Sequence, residues 1–243
     1  IMNNNLLPLV YVSNKDFFNH LSTSIFSLAK NNLDVHINFY IINSDFTKTD
    51  LKKIERLINF HKSFTVINSQ SDDKFLSKIK LRIGHINETT FLKFLIEDFV
   101  KEDKAIYIDS DNIILKSLKP LIATNLNEFC IGAVEEEIYN DAMRERVGIK
   151  KNIKTFNSGV FLIDLKKWRK FKIKQKCLEH LKKYKKHLYY LDQDSLNSVI
   201  SGKFKSLDSK YNQISNPTIV HFCGSIKPWF VDSQHTYKNN YWE

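Results

Sequence analysis

The sequence has few of the residues that build disulfide-linked, zinc-bound or membrane-spanning structures. Its three cysteines, Cys130, Cys177 and Cys223, are odd in number and show no Cys-x-x-Cys spacing, so we expect neither a disulfide framework nor a zinc cluster. No apolar run approaches the ~20 residues that cross a bilayer, and the N-terminus lacks a basic region ahead of an apolar run. We therefore expect a reduced, cytoplasmic protein that does not span a membrane. The abrupt end after Trp242-Glu243 suggests that a native tail is missing.

Acidic residues are scarce relative to basic ones. The chain has 37 Lys and Arg against 27 Asp and Glu, a formal net charge of +10, and only 5 of the cations are Arg. Residues 166–186 hold 11 of the cations and one acid, Glu179, so this segment accounts for the whole excess, and we expect it to form one basic helix. Such a segment attracts an anionic membrane surface or a phosphorylated glycan, with a solvated helix face as the alternative. Nucleic acid is disfavoured as a partner, because no helix-turn-helix, zinc or RNA-recognition signature accompanies the charge.

Glycine and proline are infrequent, at 6 and 4 residues, and neither marks a long linker. Apolar runs short enough for buried strands alternate with helical patterns, which is typical of an α/β fold with a mostly parallel sheet. The sequence predicts helices over residues 17–30, 48–60 and 89–99, the second with Thr47 as its N-cap. It predicts strands over residues 7–13, 35–42, 64–68, 105–108, 130–134, 160–163 and 218–222. We expect one domain over residues 1–243 with a helical C-terminal portion.

Two carboxylates follow one predicted strand, and an imidazole lies at the end of another. Asp109 and Asp111 come directly after the strand predicted over residues 105–108, and His221 lies in the last predicted strand. Because open α/β sheets bind ligands beyond the carboxyl ends of their strands, the two aspartates are a candidate site for one hard cation. A chance Asp-x-Asp turn and a hydrogen-bonded core histidine are the alternatives.

Five segments, in this order along nearly the whole chain, match the motifs of one enzyme family. They are LVYVSNKDFFNHLSTSIFSLAKNN, HINETTFLKFLIEDFVKEDKAIYIDSDNII, FNSGVFLIDLKKWR, YLDQDSLN and HFCGSIKPW. In these segments the sequence resembles the retaining glycosyltransferases of family 8, which include bacterial lipopolysaccharide galactosyl- and glucosyltransferases and glycogenin. The resemblance implies a GT-A fold, in which a Rossmann-like, mostly parallel central sheet is flanked by helices. The donor-binding part would cover about residues 1–135 and the acceptor part about residues 136–243.

The resemblance also implies a metal-dependent donor site. In the family, the counterparts of Asp109, Asp111 and His221 bind Mn²⁺, which bridges the diphosphate of a UDP-sugar, and Mg²⁺ is the alternative ion. Oxygen ligands suit both ions, and one imidazole shifts the preference towards Mn²⁺. The other donor-binding positions that the resemblance implies are Val12, Asn14, Phe17, Ile86, Lys93, Ser110, Asn157, Asp192, Gln193, Gly224 and Lys227.

Two of these positions depart from the family pattern. Asn14 stands where the family usually carries an Asp that faces the uracil, and Lys93 stands where an Arg commonly contacts the donor. An amide oxygen still accepts the uracil N–H, whereas a lysine replaces a two-pronged contact by a single ammonium. Phe17 offers a stacking face for the base, with a core aromatic of the first helix as the alternative.

Asp192 and Gln193 are the catalytic residues that the resemblance implies. A carboxylate at Asp192 accepts hydrogen bonds from sugar hydroxyls, and the same residue is also a candidate helix N-cap. Gln193 lies where a double-displacement enzyme would place its nucleophile, but a neutral amide is a poor nucleophile. We therefore favour front-face attack, in which Gln193 stabilises the oxocarbenium-like sugar, and keep Asp192 as the alternative nucleophile.

The sequence thus predicts a Mn²⁺-dependent hexosyltransferase that moves galactose or glucose from a UDP-sugar to a glycan or lipid-linked glycan. The expected process is the synthesis of lipopolysaccharide or another cell-surface glycan, in the cytoplasm or at the cytoplasmic face of the membrane. The alternatives are a glycogenin-like enzyme that glycosylates itself or another protein, an inactive donor-binding relative and, least favoured, a nucleic-acid-binding protein.

Overall fold

Strands and helices alternate through the first half of the computed structural model, which describes residues 5–71, 88–212, 216–224 and 227–243. The strands are β1 (Leu6–Val12), β2 (His36–Asn43), β3 (Phe64–Gln70), β4 (Lys104–Ile108), β5 (Asn112–Ile114), β6 (Ile131–Glu135), β7 (Phe156–Asp164), β8 (Lys205–Ser206) and β9 (Ile219–His221). The helices are α1 (Phe18–Lys30), α2 (Lys48–Leu57), α3 (Ile96–Phe99), α4 (Lys119–Ala123), α5 (Asp141–Arg146), α6 (Leu165–Lys170), α7 (Ile173–Tyr184), α8 (Asp192–Ile200) and α9 (Lys238–Trp242). The 3₁₀ helices are Lys15–Phe17, Glu88–Leu95 and Ser209–Tyr211. None of the described helices is long and apolar enough to cross a bilayer.

Seven strands form one sheet in the order β3-β2-β1-β4-β7-β6-β8. The first four run parallel, β7 is antiparallel to both of its neighbours, and β8 is parallel to β6. Because helices cover both faces, the central strand β1 is apolar on both sides, with six of its seven residues buried, whereas the edge strand β3 carries exposed polar residues. Alternate residues enter two cores: Val10 and Val12 lie in one, Leu9 and Tyr11 in the other. The predicted α/β fold with a mostly parallel sheet is confirmed.

A second, two-stranded sheet determines where the C-terminal part of the chain meets the first half. β5 pairs antiparallel with β9, so that Asn112 faces His221 and Ile114 faces Ile219. β4 ends at Ile108 and β5 begins at Asn112, so only a short turn separates them. The pairing of β5 with β9 therefore brings the end of β9 to the carboxyl end of β4.

Two predicted helices differ from the structure. The helix expected over residues 89–99 is mostly a 3₁₀ helix, Glu88–Leu95, and only α3 is α-helical. Every side chain over residues 91–95 is buried, so packing from all sides replaces the single apolar stripe of an ordinary α-helix. The basic segment 166–186 forms two helices, α6 and α7. They are separated at Lys172, whose φ of 56° is left-handed and cannot continue a right-handed helix.

The predicted N-cap of α2 is confirmed. Thr47 Oγ1 accepts a hydrogen bond from Asp50 N at 3.3 Å, and Asp50 Oδ2 accepts one from Thr47 N at 2.9 Å. This reciprocal pair satisfies two N–H groups at the helix start that have no partner within the helix.

Candidate active site

The candidate metal ligands meet where β4 and β9 end. Asp109 follows β4, and its N–H donates to the carbonyl of Gly159 at 2.8 Å across the antiparallel β4–β7 pair. Asp111 leads into β5, and the β5–β9 pairing brings His221 beside it. Phe222 N donates to the Asp111 carbonyl at 3.1 Å and holds this crossing of the chain.

The three side chains offer ligand atoms at one point. One atom from each of Asp109, Asp111 and His221 lies within 4.8 Å of the other two. His221 Nε2 is 3.3 Å from Asp111 Oδ1 and 3.9 Å from Asp109 Oδ2. On the other side of the ring, Nδ1 donates to Asn212 Oδ1 at 2.8 Å, which turns Nε2 towards the carboxylates. Two carboxylates and an imidazole nitrogen are a donor set that fits a divalent cation.

A glycine makes room for this imidazole. A Cβ atom on Gly159 would lie 2.1 Å from His221 Cε1, which is too close for any side chain. Gly159 belongs to the Asn-Ser-Gly stretch of β7, where it allows the ring of His221 to approach the strand backbone. The absence of a side chain at Gly159 therefore allows the imidazole of His221 to lie beside the two aspartates.

The charges around this cluster shift the pKa values of its members. Burial raises the pKa of Asp111, but His221 and Lys227 outweigh that effect and hold it well below its usual range. For Asp109, burial prevails over the attraction of Lys93, and the pKa is raised. Burial lowers the pKa of His221, but the neighbouring Asp111 more than offsets this and the pKa lies well above its ordinary value. The positive charges of His221 and Lys227 therefore stabilise the charged form of Asp111, whereas burial disfavours the charged form of Asp109.

Lys93 is buried beneath the site, where its ammonium lies between Asp109 and Asp192. Its ammonium, on a side chain 1% exposed, is 2.6 Å from Asp192 Oδ2 and 3.3 Å from Asp109 Oδ1, and it donates to the carbonyl of Ser158 at 3.0 Å. It also lies 4.4 Å from the ring centroid of Tyr107. Because an ammonium has three N–H donors, these contacts occupy all of them.

Asp192 is the first residue of α8 and not its N-cap. Leu191 takes the N-cap position with a φ of 56° and makes no side-chain capping bond. The carboxylate of Asp192 is turned away from the helix, where it accepts hydrogen bonds from Thr90 Oγ1 and, at 2.9 Å, from Ser158 Oγ. These bonds, together with Lys93, engage both carboxylate oxygens.

The side chains of Gln193, from α8, and Asn157, from β7, lie side by side. Gln193 Oε1 accepts from Ser158 N at 2.9 Å, and Asn157 Oδ1 accepts from Gly159 N at 2.8 Å. Both side-chain nitrogens donate to Glu136 Oε2, at 3.3 and 3.1 Å respectively. The structure therefore brings Asn157 and Gln193 together, as the resemblance implies, and adds a carboxylate to them.

The rest of the cleft lies beyond β1. It is lined by Val12, Ser13, Asn14, Phe17, Thr89, Thr90, Tyr107, Asp109, Ser110 and Asp111. Asn14 Oδ1 accepts from Phe17 N at 3.2 Å and caps the short 3₁₀ helix, while the Phe17 ring stays 37% exposed. Ser110 Oγ donates to the Val12 carbonyl at 3.3 Å and ties the Asp109–Asp111 turn to β1.

Two of the remaining predicted residues border the metal cluster. Lys227 Nζ is 2.7 Å from Asp111 Oδ2, and it also donates to the carbonyl of Phe222. Gly224 has a left-handed φ of 79°, a conformation that favours glycine, and a Cβ atom on it would contact none of the described residues. Ile86, the last predicted donor-binding residue, lies outside the described residues.

Sequence reasoning missed several residues that shape the site. Tyr107 OH donates to Asp109 Oδ1, and the hydroxyls of Thr90 and Ser158 donate to Asp192. Asn212 accepts a hydrogen bond from His221, and Glu136 accepts hydrogen bonds from the side-chain amides of Asn157 and Gln193. Tyr107 lies inside a strand that was predicted for its apolar pattern. The others are single polar residues without a motif of their own, and only the folded chain brings them to the site.

Comparison with known proteins identifies the class of fold and then the family. The galactosyltransferase LgtC, solved in complex with donor and acceptor sugar analogues, matches with a TM-score of 0.84 at 22% sequence identity, over 97% of this chain and 94% of that one. The architecture is accordingly the GT-A fold of glycosyltransferases. Residues 8–233 match glycosyl transferase family 8, and the chain belongs to that family.

Two curated relatives extend this result. The glycosyltransferase GlyA of Streptococcus pneumoniae is 29% identical over 249 residues, which cover 96% of this chain and 34% of GlyA. The general stress protein A of Bacillus subtilis is 24% identical over 265 residues, which cover 97% of this chain and 92% of that protein. The chain therefore corresponds to about a third of GlyA and to nearly all of the Bacillus protein.

Proposed function

We propose that this glycosyltransferase moves a hexose, galactose or glucose, from a UDP-sugar to a glycan acceptor with retention of configuration. The observation that carries the proposal is the grouping of Asp109, Asp111 and His221 within 4.8 Å, at the carboxyl end of a parallel strand and beside an open cleft. Nucleotides bind at this end of open α/β sheets. The structure of LgtC with donor and acceptor sugar analogues supports a sugar donor and a sugar acceptor.

The three ligands would hold Mn²⁺, with Mg²⁺ as the alternative. Two carboxylates suit either ion, and the imidazole of His221 favours the softer Mn²⁺. Once bound, the ion would offset the negative charge of the diphosphate as UDP leaves. Lys227 adds a positive charge next to Asp111, and the left-handed turn at Gly224 lets the backbone come close to the same phosphates.

The nucleoside would lie against β1. Val12 offers backbone groups there, Asn14 has an amide that accepts from the uracil N–H, and the exposed ring of Phe17 offers a stacking face. Asn14 also caps the 3₁₀ helix through the same oxygen, so its side chain is already ordered before the nucleotide binds. Ordering in advance reduces the entropy that binding costs.

The donor sugar would lie over Asn157, Asp192 and Gln193. Both oxygens of Asp192 are engaged by Lys93, Ser158 and Thr90, which disfavours Asp192 as a nucleophile. We favour front-face attack, in which the acceptor hydroxyl bonds to C1 of the sugar as the bond to UDP breaks. The hydroxyl proton passes to the leaving phosphate oxygen, and the Gln193 carbonyl faces the cationic sugar.

The acceptor that we propose is a glycan or lipid-linked glycan at an anionic membrane surface. Within residues 166–186, Lys166, Lys167 and Lys174 pair with Asp103, Asp164 and Asp98. Seven lysines of this segment have no carboxylate partner in the described part of the chain. Four of them lie together at the end of α7 and just after it: Lys182, Lys183, Lys185 and Lys186; the other three are Lys170, Lys172 and Lys176. Unpaired cations attract anionic lipid at about 1 kcal/mol each.

The enzymatic proposal is tested by release of UDP from UDP-galactose and UDP-glucose, with and without Mn²⁺ and with pooled glycan acceptors. We expect release that requires Mn²⁺, and mass spectrometry of the products identifies whether an added glycan or the protein itself receives the sugar. Asp111→Asn should abolish Mn²⁺-dependent UDP binding, whereas Asp98→Asn, on the surface, should not. Mn²⁺-dependent binding retained by Asp111→Asn would contradict the ligand assignment, and a wild-type protein without binding or turnover would contradict the function.

The membrane proposal has its own test in flotation with vesicles of phosphatidylglycerol and of phosphatidylcholine. Replacing Lys182, Lys183, Lys185 and Lys186 by glutamine should strongly reduce binding to the anionic vesicles. Glutamine at the three paired lysines is the matched control and should reduce binding much less. Equal losses in both variants, or equal binding to both kinds of vesicle, would contradict a specific role for the unpaired lysines.

A further inference from the structure

Two side-chain amides of the site have their oxygens fixed by one strand. Gln193 Oε1 accepts from Ser158 N at 2.9 Å, and Asn157 Oδ1 accepts from Gly159 N at 2.8 Å. Consecutive N–H groups of β7 thus bind both oxygens. A backbone N–H cannot accept a hydrogen bond, so these contacts identify which end of each amide carries the oxygen.

The nitrogens of the same amides meet at a single carboxylate oxygen. Asn157 Nδ2 and Gln193 Nε2 lie 3.1 and 3.3 Å from Glu136 Oε2. A reversed Gln193 amide would face its oxygen to this carboxylate and its N–H to Ser158 N, losing both hydrogen bonds and placing like partial charges together. Glu136 and β7 therefore fix the amide orientations from opposite sides.

The position of Glu136 follows from the end of β6. The pairing of β6 with β7 shifts register between Ala133 and Glu135, and Glu136 N then donates to the Thr155 carbonyl at 3.0 Å. Glu135 accepts from Lys154 and Ser206 at the exposed side. Since successive residues of an extended chain point to opposite faces, Glu136 projects to the side of the two amides.

We propose that Glu136 is a positioning residue of the transfer reaction, which fixes and polarises the amide of Gln193 through the hydrogen bond between them. The inference rests on the proposed function, because Gln193 acts on the donor sugar there. An N–H that donates to a carboxylate strengthens the dipole of its amide, which makes the opposite carbonyl oxygen more negative. A neutral glutamine thereby gains the negative character that a cationic sugar attracts.

The test compares Glu136→Ala and Glu136→Gln with the matched control Glu135→Gln. A 1 Å displacement of a catalytic group lowers rates about 100-fold, and we expect kcat of Glu136→Ala to fall by that order with a much smaller change in the KM for UDP-sugar. Glu136→Gln keeps the shape and one accepting oxygen but not the charge, so its kcat should lie between the wild type and Glu136→Ala. Glu135→Gln should keep the wild-type kcat.

A double-mutant cycle isolates the proposed route. If Glu136 acts through Gln193, Glu136→Ala should reduce kcat by a smaller factor in a Gln193→Ala background than in the wild type. The inference would be overturned if kcat of the double variant fell by the product of the two single-variant factors, or if kcat were unchanged in Glu136→Ala. If Glu136→Ala does not fold, the same cycle with Glu136→Gln decides.

The failure of the proposed function is distinguishable from the failure of this inference. If the wild-type protein neither binds nor turns over a UDP-sugar, the proposed function is refuted, but the contact between Glu136 and Gln193 is not. The contact between Glu136 and Gln193 is then tested by urea unfolding of the Glu136→Gln and Gln193→Ala single and double variants, which need no substrate. Additive shifts of the unfolding midpoint would refute the contact, and non-additive shifts would support it.

Discussion

Replacing Lys93 by methionine tests whether one buried cation stabilises Asp109 and Asp192 together. The ammonium lies 2.6 Å from Asp192 Oδ2 and 3.3 Å from Asp109 Oδ1, and it donates to Ser158 O at 3.0 Å. Burial lowers the pKa of Lys93, but the two aspartates outweigh it and the pKa is raised, so the lysine is charged. Methionine keeps most of the volume but leaves the buried Asp192 carboxylate, and the partly exposed Asp109 carboxylate, without their cation. Breaking a buried ion pair in this way costs about 3–5 kcal/mol, and we expect that loss in the free energy of unfolding.

Urea unfolding with linear extrapolation measures this loss. Lys174→Met is the matched control, because Lys174 pairs with Asp98 at 2.6 Å while both side chains are partly exposed, at 27% and 40%. Such a surface pair contributes below about 1 kcal/mol. Lys93→Arg separates charge from shape: it keeps the cation, and we expect only the overpacking cost of about 1–3 kcal/mol. A Lys93→Met loss no greater than that of Lys174→Met would refute the reasoning.

Two further predictions concern the metal cluster and α8. Gly159→Ala should displace the imidazole of His221, since its Cβ would lie 2.1 Å from Cε1, and weaken Mn²⁺ binding. We expect a change of about 10-fold or more by isothermal titration, and an unaltered affinity would contradict the close approach. Tyr139→Phe should remove the 2.8 Å hydrogen bond to Asp194, a fully buried carboxylate. A loss of about 1–3 kcal/mol is expected in urea unfolding, and no measurable loss would mean that other donors compensate.

The parts of the fold that the sequence predicts are those set by local pattern. Short apolar runs predicted β1 and β4 because strands covered on both faces need apolar residues throughout. Thr47 was predictable because an N-cap depends only on the next three residues. The 3₁₀ helix Glu88–Leu95 was not, because its winding follows from the packing of neighbours that surround it. The break at Lys172 was also missed, since neither glycine nor proline marks it.

The candidate site divides in the same way. The motifs named the candidate ligands Asp109, Asp111 and His221, and the structure brings these three together. Nothing near Lys93 in the chain indicates that it lies below the cleft with its three donors engaged. Glu136 lies among three consecutive glutamates, and no pattern in the sequence separates it from Glu135.

By itself, the sequence determined seven of the nine described strands, the candidate metal ligands and the family, because these depend on residue types and local spacing. Tertiary structure decided which distant residues meet. The pairing of β5 with β9 brings His221 to Asp111, and the register shift at the end of β6 turns Glu136 towards Gln193. Such contacts depend on strand pairing and on the direction of side chains, which a residue and its neighbours in the chain do not specify.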